Sequence, residues 1–195
     1  KGANLALVGR HANKLEELAN EINNKGGNAK TIVADFELAE TARQVATEAQ
    51  QKLGGIDILI NNAAIMDFIQ FEDQSPERIA QMIQTNVTAT IQLAHAVLPK
   101  FKAAGQGHFV MIGSILGSLG FPYYATYCAS KFAVHGFSQA LRRELIDTNI
   151  GVSYIAPRGV NTSLNDAVTL AMLAKTGGNL DEPEKVAAIV VKSLE

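Results

Sequence analysis

Apolar and polar positions alternate in blocks along this chain. Short apolar runs at residues 5–8, 29–34, 56–60, 108–112 and 152–156 read as strands. Their near-continuous hydrophobicity, as in Ile56-Asp57-Ile58-Leu59-Ile60, is what strands need when both faces of a sheet are covered. Between them, stretches with helical spacing cover residues 13–24, 39–53, 76 to about 102, and 124–147. Ser75-Pro76 supplies a cap and a first-turn proline for the third of these, and Pro99 falls near its end. Asp181-Glu182-Pro183-Glu184 has the form of a capping box opening a final helix. Five strands alternating with helices predict a single α/β domain with a doubly wound parallel sheet. Ligands of such sheets bind beyond the C-terminal ends of the strands.

The composition narrows the partners. The 195 residues are 47% hydrophobic and 18% charged, with a formal net charge of −2, which suits a soluble globular domain and gives no basic footprint for nucleic acid. No apolar run approaches a membrane span, and no signal-peptide pattern is visible. The single cysteine, Cys128, excludes an internal disulfide and fits a reducing compartment, so a cytoplasmic location is expected. Beside Tyr127 on a helix, Cys128 reads as a small packed side chain rather than a nucleophile. His11, His95, His108 and His135 fall on separate elements without metal-ligand spacing, and no metal site is expected.

The chemistry concentrates around Tyr127. Lys131 stands four residues on, so the phenol and the ammonium share one helix face. Ser114 ends the strand-like run Phe109-Val110-Met111-Ile112-Gly113, which can aim its hydroxyl into the same cleft. A free tyrosine, with a pKa of about 10, exchanges protons poorly near neutrality. An ammonium ~5 Å away at an effective dielectric near 20 would favour the phenolate by roughly 3 kcal/mol, or about two pKa units. On that reasoning Tyr127 acts as general acid toward a carbonyl or general base toward an alcohol, with Ser114 steadying the substrate oxygen. Each residue also has a plainer reading: Ser114 as a turn residue, Asn86 at a helix bend, Lys131 as a solvated charge.

Order and context favour the catalytic reading. Asn86 lies in Thr85-Asn86-Val87-Thr88-Ala89-Thr90, Asn61-Asn62-Ala63-Ala64 follows the third strand, and Pro157-Arg158-Gly159-Val160-Asn161-Thr162 follows the fifth. Together with Ser114, Tyr127 and Lys131 these motifs resemble those of the short-chain dehydrogenase/reductase family. The resemblance implies a Rossmann-like fold and an Asn86-Ser114-Tyr127-Lys131 active site, with Asn86 holding a water that links Lys131 to solvent. It also implies a nicotinamide cofactor, because these side chains supply no hydride. At the end of the first strand stands Arg10 rather than an acidic residue, and a guanidinium suits a ribose 2′-phosphate, so NADP(H) is expected ahead of NAD(H). Arg10 could equally be a surface charge. By the same resemblance Asp35 would bind the adenine amine, although it could also be a helix-capping turn residue. Asn62 and Ala63 would lie along the adenosine ribose, Tyr127 and Lys131 would border the nicotinamide ribose, and Val160 and Thr162 would hold the carboxamide. The family's usual Pro-Gly is here Pro157-Arg158-Gly159, which leaves the backbone path less certain there.

The expected function is hydride transfer between NADP(H) and a carbonyl or secondary alcohol. The alternatives are reduction of a 3-oxoacyl thioester and a catalytically silent binding protein that keeps the fold. Ile65, Met66, Leu116, Leu119, Phe121 and Tyr123 are candidates to flank the cleft, pointing to a small apolar substrate. Residues 163–180 should form a lid, with an apolar face at 167–173 and Gly177-Gly178 allowing movement. The long helices near 76–102 and 124–148 could pair between subunits, as in the family, giving a homodimer or homotetramer. The family's first strand, its Thr-Gly-x-x-x-Gly-x-Gly phosphate turn and its last strand have no counterpart in residues 1–195, which therefore read as a partial dinucleotide-binding domain. Gly113-Ser114-Ile115-Leu116-Gly117 follows a strand but lacks the spacing of that turn. By themselves these residues are expected to bind NADP(H) weakly.

Overall fold

The computed structural model describes residues 2–38 and 40–194. Strands β1 (Asn4–Gly9), β2 (Asn28–Val33), β3 (Ile58–Asn61), β4 (Gly107–Ile112) and β5 (Ile150–Ile155) alternate with helices. Helices α1 (Ala12–Asn24) and α2 (Thr41–Leu53) flank β2, and α3 (Pro76–Ile83) and α4 (Ala89–Ala104) lie between β3 and β4. Helix α5 (Ala125–Glu144) joins β4 to β5, and α6 (Ala167–Thr176) and α7 (Pro183–Lys192) complete the described chain. Ala39, expected to open the second helix, lies outside the described residues.

All strand pairings are parallel, as expected, but the five strands form two sheets rather than one: β1 with β2, and β3-β4-β5. The two halves are joined by helix packing instead of a strand ladder. Ile32 of β2 and Phe36 share a buried cluster with Ala42, Val45 and Ala49 of α2 and Ala89 and Leu93 of α4, and Val8 of β1 and Leu59 of β3 pack against it. Among the described residues β1 and β3 each have one edge that pairs with no strand, and Ile58 and Ile60 on β3 are partly exposed, at 43% and 47%.

Several element ends differ from the sequence expectation. The predicted helix over 76–102 is interrupted by a π-helical turn, Gln84–Thr88, before α4. Ser75 does cap α3, accepting the Arg78 N–H at 3.1 Å. Pro99 lies inside α4, which runs five residues beyond it to Ala104. There Gly105 adopts φ 72°, a left-handed conformation open to glycine at little cost, and closes the helix. The expected capping box at 181–184 does not form. The Asp181 carboxylate is taken instead by Arg158 and by Lys185, each at 2.8 Å, and Glu182 occupies the cap position without a side-chain bond.

The main core lies between α4, α5 and the three-stranded sheet. Phe101 and Phe109 are fully buried there, with ring centroids 4.8 Å apart and planes tilted by 54°. Phe101→Ala is expected to cost about 3–5 kcal/mol, because it removes a ring and leaves a cavity. Thermal unfolding should show a drop of roughly 10 °C in Tm; a shift within a degree or two would show that the cluster can collapse around the gap.

Candidate active site

The site is built where β4 ends and α5 begins. Ser114 follows Gly113 in an extended conformation, φ −164° and ψ 158°, and caps the 3-10 turn Ile115–Gly117. Its Oγ accepts the Leu116 N–H at 3.1 Å. That bond uses an oxygen lone pair and leaves the hydroxyl proton free to point elsewhere. The turn and site readings of Ser114 are therefore compatible.

Tyr127 sits in the first turn of α5 and is 7% exposed; Lys131, one turn later, is 4% exposed. The Lys131 Nζ donates to the Ile112 carbonyl at 3.0 Å and lies over the Tyr127 ring, 5.7 Å from its centroid. Lys131 is thus no solvated charge. Burial lowers its pKa to about 8, since desolvation penalises the ammonium.

The electrostatics correct one expectation. Lys131 was expected to depress the Tyr127 pKa, but burial pushes that phenol up to about 12. The Ser114 side chain, within hydrogen-bonding reach, opposes this shift only in part. Desolvation of the phenolate is the largest cause of the shift. Tyr127 is accordingly held protonated.

Asn86 occupies the π-helical turn and is 1% exposed; such turns often occur at functional sites. Its Oδ1 accepts the Ile65 N–H at 2.8 Å, and its Nδ2 donates to the Ile65 carbonyl at 2.9 Å and to Ser130 Oγ at 3.0 Å. One amide thus ties the loop after β3 to the helix face that carries Tyr127 and Lys131. Among the hydrophobic candidates, Ile65, Met66 and Leu116 pack in the same cluster as Tyr127, together with Phe68, Met82, Tyr124, Cys128 and Met172 of α6. Leu119, Phe121 and Tyr123 are about half exposed at its rim.

The other predicted residues follow the ends of the remaining strands. Arg10 comes directly after β1, where its guanidinium pairs with Glu37 at 2.7 Å. Asp35 follows β2, and its Oδ1 accepts the Glu37 N–H at 3.0 Å, so part of the carboxylate serves its own turn. Asn62 and Ala63 are exposed just past β3. Past β5, the Val160 and Thr162 carbonyls both accept from Asn165 Nδ2, at 2.7 and 3.3 Å. A guanidinium, a carboxylate, amides, hydroxyls and an ammonium thus gather at the C-terminal ends of parallel strands, where ligands of such sheets bind.

Sequence reasoning missed two supporting groups. Asp67 accepts a forked pair of bonds from Arg78, at 2.8 Å from Nε and 2.7 Å from the terminal nitrogen, and it also accepts from Gln74. Gln74 in turn accepts from Thr126, the neighbour of Tyr127. The Arg78 guanidinium holds the Asp67 carboxyl below its ordinary range. Tyr154 of β5 hydrogen-bonds Ser114 from behind. The links that bring these groups to the site, Gln74 to Thr126 and Tyr154 to Ser114, join parts of the chain 52 and 40 residues apart and leave no spacing signal.

Comparison with known proteins agrees with this geometry. Residues 1–172 match the short chain dehydrogenase family. An uncharacterized oxidoreductase of Staphylococcus aureus is 31% identical over 194 residues, all of this chain and 81% of its own. Dehydrogenase/reductase SDR family member 7B of Mus musculus is 36% identical over 173 residues, 86% of this chain, and the match spans about half of the mouse protein, 54%. A gluconate 5-dehydrogenase from Burkholderia cenocepacia, solved in complex with NADP and tartrate, superposes with a TM-score of 0.85 at 26% identity over 96% of this chain and 76% of its own. The architecture is that of the Rossmann-like α/β proteins, with its polar residues gathered at the strand ends. The chain belongs to the short-chain dehydrogenase family. Among the described residues no helix is long and apolar enough to cross a membrane, and no group of three His, Cys, Asp or Glu side chains could hold a metal.

The Lys131 shift has a signed consequence for stability. Its folded pKa is about 8 against an ordinary 10.5. Between those values the unfolded chain holds a proton that the folded chain has released, so this lysine's contribution to stability rises with pH. The raised Tyr127 pKa acts oppositely, losing stability as pH climbs from 10 to about 12. Comparison with Lys131→Met isolates the lysine. Relative to that variant, the wild type should gain up to about 3 kcal/mol across the window in urea titrations. A flat difference would mean that Lys131 keeps its proton in the folded state.

Proposed function

We propose that this chain carries the catalytic core of an NADP(H)-dependent oxidoreductase acting on apolar carbonyl compounds or secondary alcohols. The observation that carries the reading is the joint burial of Ser114, Tyr127 and Lys131 at the end of β4 and the start of α5. The nicotinamide, when bound, supplies or accepts the hydride. Tyr127, held as the neutral phenol, donates its proton to the carbonyl oxygen as charge develops there. Ser114 directs its hydroxyl proton to the same oxygen, and Lys131 provides positive charge beneath the tyrosine ring. Asn86 keeps the loop after β3 against the helix that carries both residues.

Ile65, Met66, Leu116 and Met172 surround Tyr127 and favour a hydrophobic substrate. Residues 163–180 act as the lid, since Met172 reaches this cluster from α6. Arg10 would hold the 2′-phosphate, Asp35 the adenine amine, Asn62 and Ala63 the adenosine ribose, and Val160 and Thr162 the carboxamide. Ile91 on α4 and Phe132 on α5 are exposed apolar side chains, which supports pairing with a second copy through these helices.

Tyr127→Phe in the full-length protein should lower kcat for NADPH-dependent carbonyl reduction by at least about 10²-fold while leaving cofactor affinity largely intact. Near-normal turnover by this variant would remove Tyr127 from the acid/base role.

The Arg10–Glu37 pair sets a second expectation. Glu37 competes with a 2′-phosphate for the guanidinium, so Glu37→Gln should raise the NADP(H)/NAD(H) ratio of kcat/KM. Arg10→Asp should lower it by about tenfold or more. If neither variant moves the ratio, another residue reads the 2′ position.

A further inference from the structure

The Ser114 loop is supported from its far side by a tyrosine. Tyr154, on β5, accepts the Ser114 N–H at 3.4 Å and donates to the Ser114 carbonyl at 3.3 Å. Both bonds are long, but they grip the serine from either side of its Cα. The ring fits only because its neighbours are small: a Cβ on Gly113 would strike the Tyr154 ring, and one on Gly117 would strike its hydroxyl and the Lys131 carbonyl. The Gly113-x-x-x-Gly117 spacing is therefore a cradle for an aromatic ring.

On the Tyr154 ring lies His135, with centroids 4.5 Å apart and planes within 13°. His135 Nδ1 contacts the Gly117 carbonyl at 3.2 Å and Ser118 Oγ at 3.4 Å, and its Nε2 meets Gln139 at 2.9 Å. The stack thus holds both the start and the exit of the turn that presents Ser114. The turn is also held by Leu116 N–H to Ser114 Oγ at 3.1 Å and by backbone bonds, among them Gly113 N–H to Ile155 O at 2.7 Å, Ile115 N–H to Pro157 O at 3.0 Å and Gly117 N–H to Ser114 O at 2.9 Å. Burial raises the Tyr154 pKa, so its hydroxyl keeps the proton it donates.

We propose that Tyr154, backed by His135, is a positioning residue for Ser114, holding the serine peptide so that its hydroxyl stays aimed at the substrate oxygen beside Tyr127. The proposal rests on the catalytic reading of Ser114. A precisely held donor stabilises developing charge far better than a mobile one, and sub-ångström drift in a supporting contact lowers the rate without abolishing binding.

The test is a double-mutant cycle in the full-length protein, with NADPH oxidation measured against a panel of hydrophobic aldehydes and ketones. Tyr154→Phe keeps the ring in its cradle and removes the hydroxyl. It should lower kcat about 5- to 20-fold, with KM for NADPH unchanged. Amide hydrogen exchange should quicken at residues 113–117, a readout independent of turnover. Ser114→Ala should cost more, and Tyr154→Phe added to it should cost nothing further, because the hydroxyl it positions is already gone. His135→Ala should give a smaller loss in the same direction, also absent in the Ser114→Ala background. Multiplying losses, or full activity in Tyr154→Phe, would overturn the positioning role. Full activity in Ser114→Ala would overturn the reading of Ser114 itself, and the proposal with it.

Discussion

A buried ammonium organises this molecule. Lys131 is only 4% exposed, and it donates to the Ile112 carbonyl at the last residue of β4. Burying a charge is expensive unless it is hydrogen-bonded and closely packed. That bond ties α5 to the end of β4, with the charged head over the Tyr127 ring. The helix is 20 residues long and presents Tyr127, Ser130, Lys131, Val134, Ser138 and Leu141 along its buried face.

The same burial decides the protonation states. Coulomb attraction alone would have the ammonium stabilise the phenolate beside it. Instead the desolvation that raises the Tyr127 pKa also lowers that of Lys131. The result is a protonated phenol, a weaker acid than a free tyrosine, beside a lysine that gives up its proton more readily than usual. The surrounding polar groups are restrained one by one. Asn86 clamps the Ile65 peptide, Gln74 joins Asp67 to Thr126, and Tyr154 grips the Ser114 peptide. Each restraint reaches across tens of residues in the chain.

The architecture around the site depends on helices more than on strand pairing. With β1-β2 and β3-β4-β5 hydrogen-bonded only within themselves, the contacts of α2 with α4 and with β1 hold the two sheets in one body. Ile32 at 1% exposure and Phe36 at 8% are covered by small residues on α2 and α4, chiefly alanine and valine, which permits close approach. The ends of β1 and β2, carrying Arg10 and Asp35, are thereby kept with the ends of β3, β4 and β5.

Periodicity by itself determined the order of the elements, because a fully covered strand and an amphipathic helix leave different local patterns. The Tyr127-x-x-x-Lys131 pair, Ser114 after its strand and the Ser75 cap were legible for the same reason: each depends on residues within one or two turns of each other. Only the tertiary structure decided the rest. The division into two sheets depends on which strand edges meet, and the π-helical turn at Asn86 on what that side chain must reach. Arg10 pairs with Glu37, Asp181 bonds Arg158 and Lys185 instead of capping α7, and Tyr154 stands behind Ser114. Most of these partners lie more than 20 residues apart, beyond any local pattern. The Tyr127 pKa was misjudged for a related physical reason: the attraction of a neighbouring charge can be estimated from spacing, whereas desolvation depends on everything that folds over the group.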